Sequence, residues 1–215
     1  MTPALVIFDC DGVLVDSEPI TNREMARDLT AHGLSVTTEQ CIELFVGGTI
    51  ASVADRAREL GADLPPDWVN SFYDRMCATL GEEVEAIPGV HDAIAAVEAA
   101  GIATAIGSNG PMRKMEVTLA RTGLMERFRG RIFSAHDVGV AKPDPGLYLH
   151  VAASVGHSPE TTTVVEDSVS GVRAAVGAGM RCLGYAGDTP AERLAAEGAE
   201  PFDAMADLPR LLGLK

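Results

Sequence analysis

The stretch Ala4-Leu5-Val6-Ile7-Phe8-Asp9-Cys10-Asp11-Gly12 decides how the rest of the chain is read. An unbroken apolar run ending in an acid describes a strand buried on both faces, the pattern of a parallel sheet. Asp11-Gly12 follows as a turn signal. From Ser17 the period changes: Ile20, Met25, Leu29 and Leu34 recur at helical spacing, with Ser17 in place to cap the start. Further helical stretches cover 38–45, 50–60 and 66–80, separated by Gly33, Gly47-Gly48, Gly61 and Gly81 and with no convincing strand among them.

After Pro88-Gly89 the chain alternates. Helical patterns at 91–100, 111–122, 145–155 and 169–178 precede strand patterns at 102–107, 131–133, 162–166 and 180–185, and two short helices near 190–197 and 206–212 close it. Single helices between strands imply right-handed βαβ units and therefore a parallel sheet. The expected fold is α/β. A doubly wound parallel sheet is interrupted after its first strand by an all-helical insert; 1–16 and 86–215 form the sheet domain and 17–85 the insert.

The 215 residues suffice for such a domain plus a smaller one, and 47% apolar with only 5% aromatic residues suits an Ala/Val/Leu core. The formal charge of −14, from 31 acidic against 17 basic residues, argues against nucleic acid and anionic membranes as partners, since both select a basic face. The opening apolar run is far too short for a signal peptide, and no stretch of about eighteen apolar residues occurs. Cys10, Cys41, Cys77 and Cys182 show neither CxxC spacing nor the density of a disulfide scaffold. Reduced thiols in a cytoplasmic protein, a monomer or weak homodimer, are expected. So acidic a protein binds an anion only where a local cation reverses the potential.

In doubly wound sheets functional groups gather at the carboxyl ends of the strands, beside the switch point. Four groups fall there: Asp9-Cys10-Asp11-Gly12, Gly107-Ser108-Asn109-Gly110, Lys142-Pro143-Asp144-Pro145 and Glu166-Asp167-Ser168. Each alone has an ordinary reading. Ser-Asn-Gly is usually a turn, Asp144 and Pro145 suit a helix entry, and Glu166-Asp167 can cap the helix that follows. Jointly they set carboxylates of neighbouring strand ends side by side, and burying those without a cation is very costly. A hard divalent cation with oxygen ligands resolves that cost.

The segment 9–18 (DCDGVLVDSE) resembles the first motif of the haloacid dehalogenase superfamily, and Ser108, Lys142 and Glu166-Asp167 match its second, third and fourth motifs in order. The run 167–175 (DSVSGVRAA), continuing to Ala178-Gly179-Met180, is similar to the same family, so the resemblance spans nearly the whole chain. It implies that the insert is a four-helix cap of the kind found in β-phosphoglucomutase-like members. Ser108-Asn109-Gly110-Pro111 with Lys114-Met115 is similar to a bacterial sugar-phosphate phosphatase subgroup that includes 6-phosphogluconate phosphatases.

The implied activity is Mg2+-dependent hydrolysis of a small phosphorylated metabolite, a sugar or sugar-acid monophosphate such as 6-phosphogluconate. Asp9 would attack phosphorus to give an aspartyl-phosphate, and Asp11 would serve as acid and then as base. Ser108 and the Asn109 N–H would bind the phosphoryl oxygens, while Lys142 would offset their charge. The metal would be held by Asp9, the Asp11 carbonyl and Asp167, with Glu166 as ligand or just behind one. Cys10 is grouped with the phosphate-contacting residues; Glu18, Thr21 and Gly48, with Arg56, Asn109 and Lys114, are candidates for substrate selection.

The sequence also weighs the rivals. A dehalogenase of this family typically lacks the second aspartate, present here as Asp11, and a phosphonate hydrolase needs a cap lysine, of which residues 17–85 contain none. A phosphosugar mutase carries a histidine where this chain has Thr21, and an arginine in the cap loop that here reads Phe45-Val46-Gly47-Gly48-Thr49. A protein that only binds phosphometabolites would need neither Asp9 nor Asp11.

Overall fold

The computed structural model describes residues 2–45 and 49–214. By its internal contacts the chain divides into two compact units, Met1–Asp16 with Glu85–Lys215, and Ser17–Val84.

The first unit begins with β1 (Leu5–Phe8), all four residues of which are fully buried. After the second unit it resumes with α5 (Val90–Ala99), β2 (Ala103–Ser108), α6 (Met112–Arg121), β3 (Ile132–Ser134), α7 (Ala135–Val138) and α8 (Gly146–Ser154). It ends with β4 (Thr162–Glu166), α9 (Val169–Gly177), β5 (Arg181–Tyr185), α10 (Ala191–Ala196), β6 (Glu200–Phe202) and α11 (Leu208–Leu211). The six strands form one parallel sheet in the order β3-β2-β1-β4-β5-β6, so β1 is central and the winding reverses beside it. Leu5, Ile7, Ala105 and Val164 pack against α8 and α9, while Phe8 points to the other face and meets Phe128 edge-on at 6.0 Å. Burial of strand residues on both faces is what a sheet wrapped by helices requires.

Two elements of this unit were not anticipated. β6 is three residues long, contains Pro201 and closes an edge against β5, and α7 is a single turn capped by the Ser134 hydroxyl, which accepts from His136 N–H at 3.2 Å.

The second unit carries, among its described residues, four helices: α1 (Glu18–Ala31), α2 (Thr38–Phe45), α3 (Ile50–Glu59) and α4 (Trp68–Glu83). Ser17 stands before α1 but makes no capping bond, because its backbone is already helical (φ −94°, ψ −19°). A cap needs an extended backbone that swings the side-chain oxygen toward the free N–H groups. Thr49 has it (φ −77°, ψ 157°) and accepts from Ser52 N–H at 3.1 Å. Trp68 is fully buried and stacks on Phe72, centroids 5.1 Å apart. Among the described residues no helix is long and apolar enough to cross a membrane.

Candidate active site

Parallel pairing sets the carboxyl ends of β2, β1 and β4 level. Phe8 is in register with Ile106 and Val165, and Asp9 N–H extends the ladder to the Val165 carbonyl at 2.9 Å. Asp9 therefore emerges between Ser108 and Glu166-Asp167.

Lys142 comes to the same point from the turn before α8. Its ammonium, 2% exposed, lies 2.7 Å from Asp9 Oδ1 and 2.6 Å from Glu166 Oε1, and 5.0 Å from the centre of the Tyr148 ring. The turn is pinned by Asn109, whose side-chain carbonyl accepts Lys142 N–H at 2.9 Å and whose amide donates to the Lys142 carbonyl at 3.2 Å. The expected phosphate contact of Asn109 is its backbone N–H; its side chain brackets the main chain of Lys142, both ends of the carboxamide being engaged.

Glu166 is wholly buried and unusually well supplied with donors. Oε1 accepts from Lys142 Nζ and, at 2.8 Å, from the Tyr148 hydroxyl; Oε2 accepts from Asp167 N–H, Ser168 N–H and the Ser168 hydroxyl, each at 2.9 Å. A carboxylate offers about four lone-pair directions, so these five donors already occupy Glu166. Ser168, rather than the acids before it, caps α9 by accepting Gly171 N–H at 3.0 Å. The helix then passes so close that a Cβ on Gly171 would stand 1.7 Å from Glu166 Oε1. Burial opposes ionisation of Glu166, but the Lys142 ammonium outweighs it and holds the pKa below the ordinary value. Burial likewise opposes the charge on Lys142, which Asp9 and Glu166 more than restore, so its pKa is raised.

Asp9 is the unbalanced member. Among the described residues no hydrogen bond of good geometry reaches Oδ1, although Lys142 Nζ is close, and burial lifts its pKa to about 7 against the pull of that ammonium. Asp167 has its carboxylate folded onto Gly12, where φ is +77° and a Cβ would stand 2.1 Å from Asp167 Oδ2. Only glycine meets both demands at that turn. Oxygens of Asp9, Glu166 and Asp167 lie within 4.8 Å of one another. Asp11 is 2.7 Å from Lys114 Nζ. Four carboxylates thus face two ammonium groups, an excess of two negative charges at one strand edge. The donor set fits a hard divalent cation held by Asp9 and Asp167, with Glu166 positioning Lys142 from behind.

Ser108, buried, accepts Gly110 N–H at 3.0 Å, which leaves its own proton to donate. The Cys10 side chain is fully buried: burial drives its thiol pKa well up, and Thr118 of α6 lies beside it. Glu18 and Thr21 lie in the first turn of α1, Glu18 exposed and Thr21 Oγ1 without a hydrogen-bond partner among the described residues. Gly48 falls outside the described residues. Arg56 pairs with Glu59 at 2.9 Å on its own helix. Sequence reasoning overlooked Tyr148; its signal was a position one turn into the helix that Lys142-Pro143-Asp144-Pro145 opens. A groove of about 340 Å3 at the amino-terminal sheet edge, lined in part by Thr163, Arg181 and Arg210, has its cations answered by Glu200, the Leu211 carbonyl and Asp207.

A family model for haloacid dehalogenase-like hydrolases matches residues 3–179. The 6-phosphogluconate phosphatase of Escherichia coli K12 is 30% identical over 208 residues, covering 96% of this chain and 93% of that enzyme. Hexitol phosphatase B of the same organism is 30% identical over 180 residues, covering 82% and 81%. Among solved structures, a HAD family hydrolase from Deinococcus radiodurans R1 with bound phosphate and sodium superposes with a TM-score of 0.81 at 32% identity, over 99% of this chain and 96% of that one. The chain belongs to the haloacid dehalogenase-like hydrolases, and within that family it is a phosphatase.

Proposed function

We propose that the chain is a Mg2+-dependent phosphatase for a sugar or sugar-acid monophosphate, working through a phosphoryl group carried on Asp9. The observation that carries this reading is the imbalance at Asp9: a buried carboxylate at the central strand end, short of donors, beside a fixed ammonium. Such a group is prepared for a positively polarised phosphorus and a metal, not for the resting protein.

Asp9 attacks phosphorus, forming an acyl-phosphate bond as the ester P–O bond breaks, and the departing oxygen takes a proton from Asp11. In the second step Asp11 takes a proton from water, whose oxygen attacks phosphorus; the Asp9–phosphorus bond breaks and phosphate leaves. Ser108 donates its hydroxyl to a phosphoryl oxygen, and Lys142, held by Glu166 and by the Asn109 bracket, offsets the phosphoryl charge. Magnesium bound by Asp9, the Asp11 carbonyl and Asp167 would neutralise the acidic excess and stabilise charge on the phosphoryl oxygens. We read the helical unit as the family's cap, with Glu18, Thr21 and Gly48 contributing to substrate choice. The sugar-phosphate class is supported by the relatives, named as phosphatases of 6-phosphogluconate and of hexitol phosphates.

The test is phosphate release from p-nitrophenyl phosphate and from a panel of phosphorylated metabolites. Turnover that needs Mg2+ and vanishes in Asp9→Asn is expected, with sugar phosphates ahead of nucleotides. No turnover on any ester would sink the enzyme reading; a clear preference for a nucleoside monophosphate would sink the substrate class.

A further inference from the structure

One cation of the site has no part in that scheme. Lys114 is the third residue of α6, within the first turn, where the unpaired N–H groups already make a positive end and a lysine is locally unfavourable. No acidic residue of that turn compensates it. Its side chain is nonetheless only 12% exposed, and the ammonium lies 2.7 Å from Asp11 Oδ1. A residue that breaks a local rule and is buried at a strand edge is expected to have a use there.

The surroundings say which. A methyl placed on Gly110 would stand 3.3 Å from both Asp11 Oδ2 and Ser108 Oγ, so Asp11 and Lys114 border the Ser108 side of the phosphoryl site. A leaving oxygen about 2.7 Å from Asp11 Oδ1 is no more than roughly 5.4 Å from Lys114 Nζ, which is 2.7 Å from that same atom. An oxygen on the carbon next to the ester carbon, about 3 Å from the leaving oxygen, has conformers that bring it into hydrogen-bond contact with that ammonium. An ammonium has three N–H donors, so contact with Asp11 and contact with such an oxygen are compatible.

We infer that Lys114 reads the leaving group, selecting phosphomonoesters that bear a hydroxyl or carboxylate oxygen on the carbon adjacent to the ester carbon. The inference deepens the substrate class given above and rests on Asp11 touching the leaving oxygen. It excludes simple alkyl phosphates from efficient turnover and admits polyol, sugar and hydroxy-acid phosphates through one shared feature.

The test compares kcat/KM for 2-hydroxypropyl phosphate and n-propyl phosphate, each with Mg2+, in the unaltered protein and in Lys114→Met, Lys114→Arg and Asp11→Asn. The unaltered protein should favour the hydroxylated ester by roughly tenfold to a hundredfold, the range of a charge-assisted hydrogen bond. Lys114→Met should bring the ratio close to one, slowing the hydroxylated ester more than the simple one even where loss of the contact with Asp11 slows both, and Lys114→Arg, which keeps a cation, should restore part of the ratio. Equal turnover of the two esters by the unaltered protein overturns the inference, as does a Lys114→Met variant that slows both alike. Asp11→Asn separates the layers: if it spares both esters, the role given to Asp11 fails and the inference with it. If it stops both while the unaltered protein shows no preference, the inference alone is lost.

Discussion

Each unit of the molecule has a cluster built around a carboxylate, and the two are resolved in opposite ways. In the helical unit Asp28 takes Arg75 Nη2 on Oδ1 at 2.8 Å and Trp68 Nε1 on Oδ2 at 2.5 Å, with His32 Nδ1 3.6 Å from Oδ2. Both oxygens are answered, and the partners hold α4 to α1. In the sheet unit Glu166 is answered as fully as Asp28, but Asp9 beside it is not. The contrast teaches where to look for chemistry: a buried acid whose neighbours satisfy it is structure, and one left short next to a satisfied acid is a site.

The largest expected effect breaks that contrast outright. Asp9→Asn should lower phosphoester turnover by roughly a thousandfold or more and leave the melting temperature unchanged or higher, since an unbalanced buried charge is removed. Asp28→Ala should do the reverse. It leaves the buried Trp68 N–H without an acceptor, at about 1–3 kcal/mol, so melting falls by several degrees while p-nitrophenyl phosphate turnover stays within about fivefold. Calorimetry and steady-state kinetics on both variants check the pair, and loss of stability in Asp9→Asn would dissolve the distinction.

Next in size is Gly171→Ala. The new methyl meets Glu166 Oε1 at 1.7 Å, so Glu166 or α9 must shift, costing about 1–3 kcal/mol as overpacking does. Because Lys142 hangs on Glu166, turnover should fall by roughly a hundredfold as well; a stability loss without a rate loss would mean that Glu166 does not position Lys142. The smallest effect sharpens the same point. Tyr148→Phe removes one of the five donors to Glu166, for about 1 kcal/mol of stability and a rate loss of about tenfold or less.

Much of this was legible in the sequence for one reason: the strands of a covered parallel sheet are apolar throughout, so β1, β2 and β4 announce themselves, and the acids ending them stand out. Asp9, Asp11, Ser108, Glu166 and Asp167 fall together because parallel register makes strand ends coincide, and Lys142 joins them from the turn before α8. What was not legible depends on contacts between distant segments. β6 carries too few residues, one of them Pro201, to show a period, and exists through its pairing with β5. The Asn109 bracket on Lys142 joins two loops 33 residues apart. Tyr148 looks like one more apolar helix residue until its hydroxyl is found against Glu166. Ser17 fails to cap because its own backbone joins the helix.

The proposed function makes Asp9 and Asp167 ligands of a divalent cation, whereas Asp28 has both oxygens answered within the protein. Thermal melting of chelator-treated protein with added Mg2+ tests it without recourse to turnover. A ligand bound only by the folded state raises the melting temperature with its concentration. The unaltered protein and Asp28→Ala should both rise by several degrees in millimolar Mg2+, and Asp167→Asn should not. A melting temperature indifferent to Mg2+ in the unaltered protein, or an equal rise in Asp167→Asn, would contradict the claim.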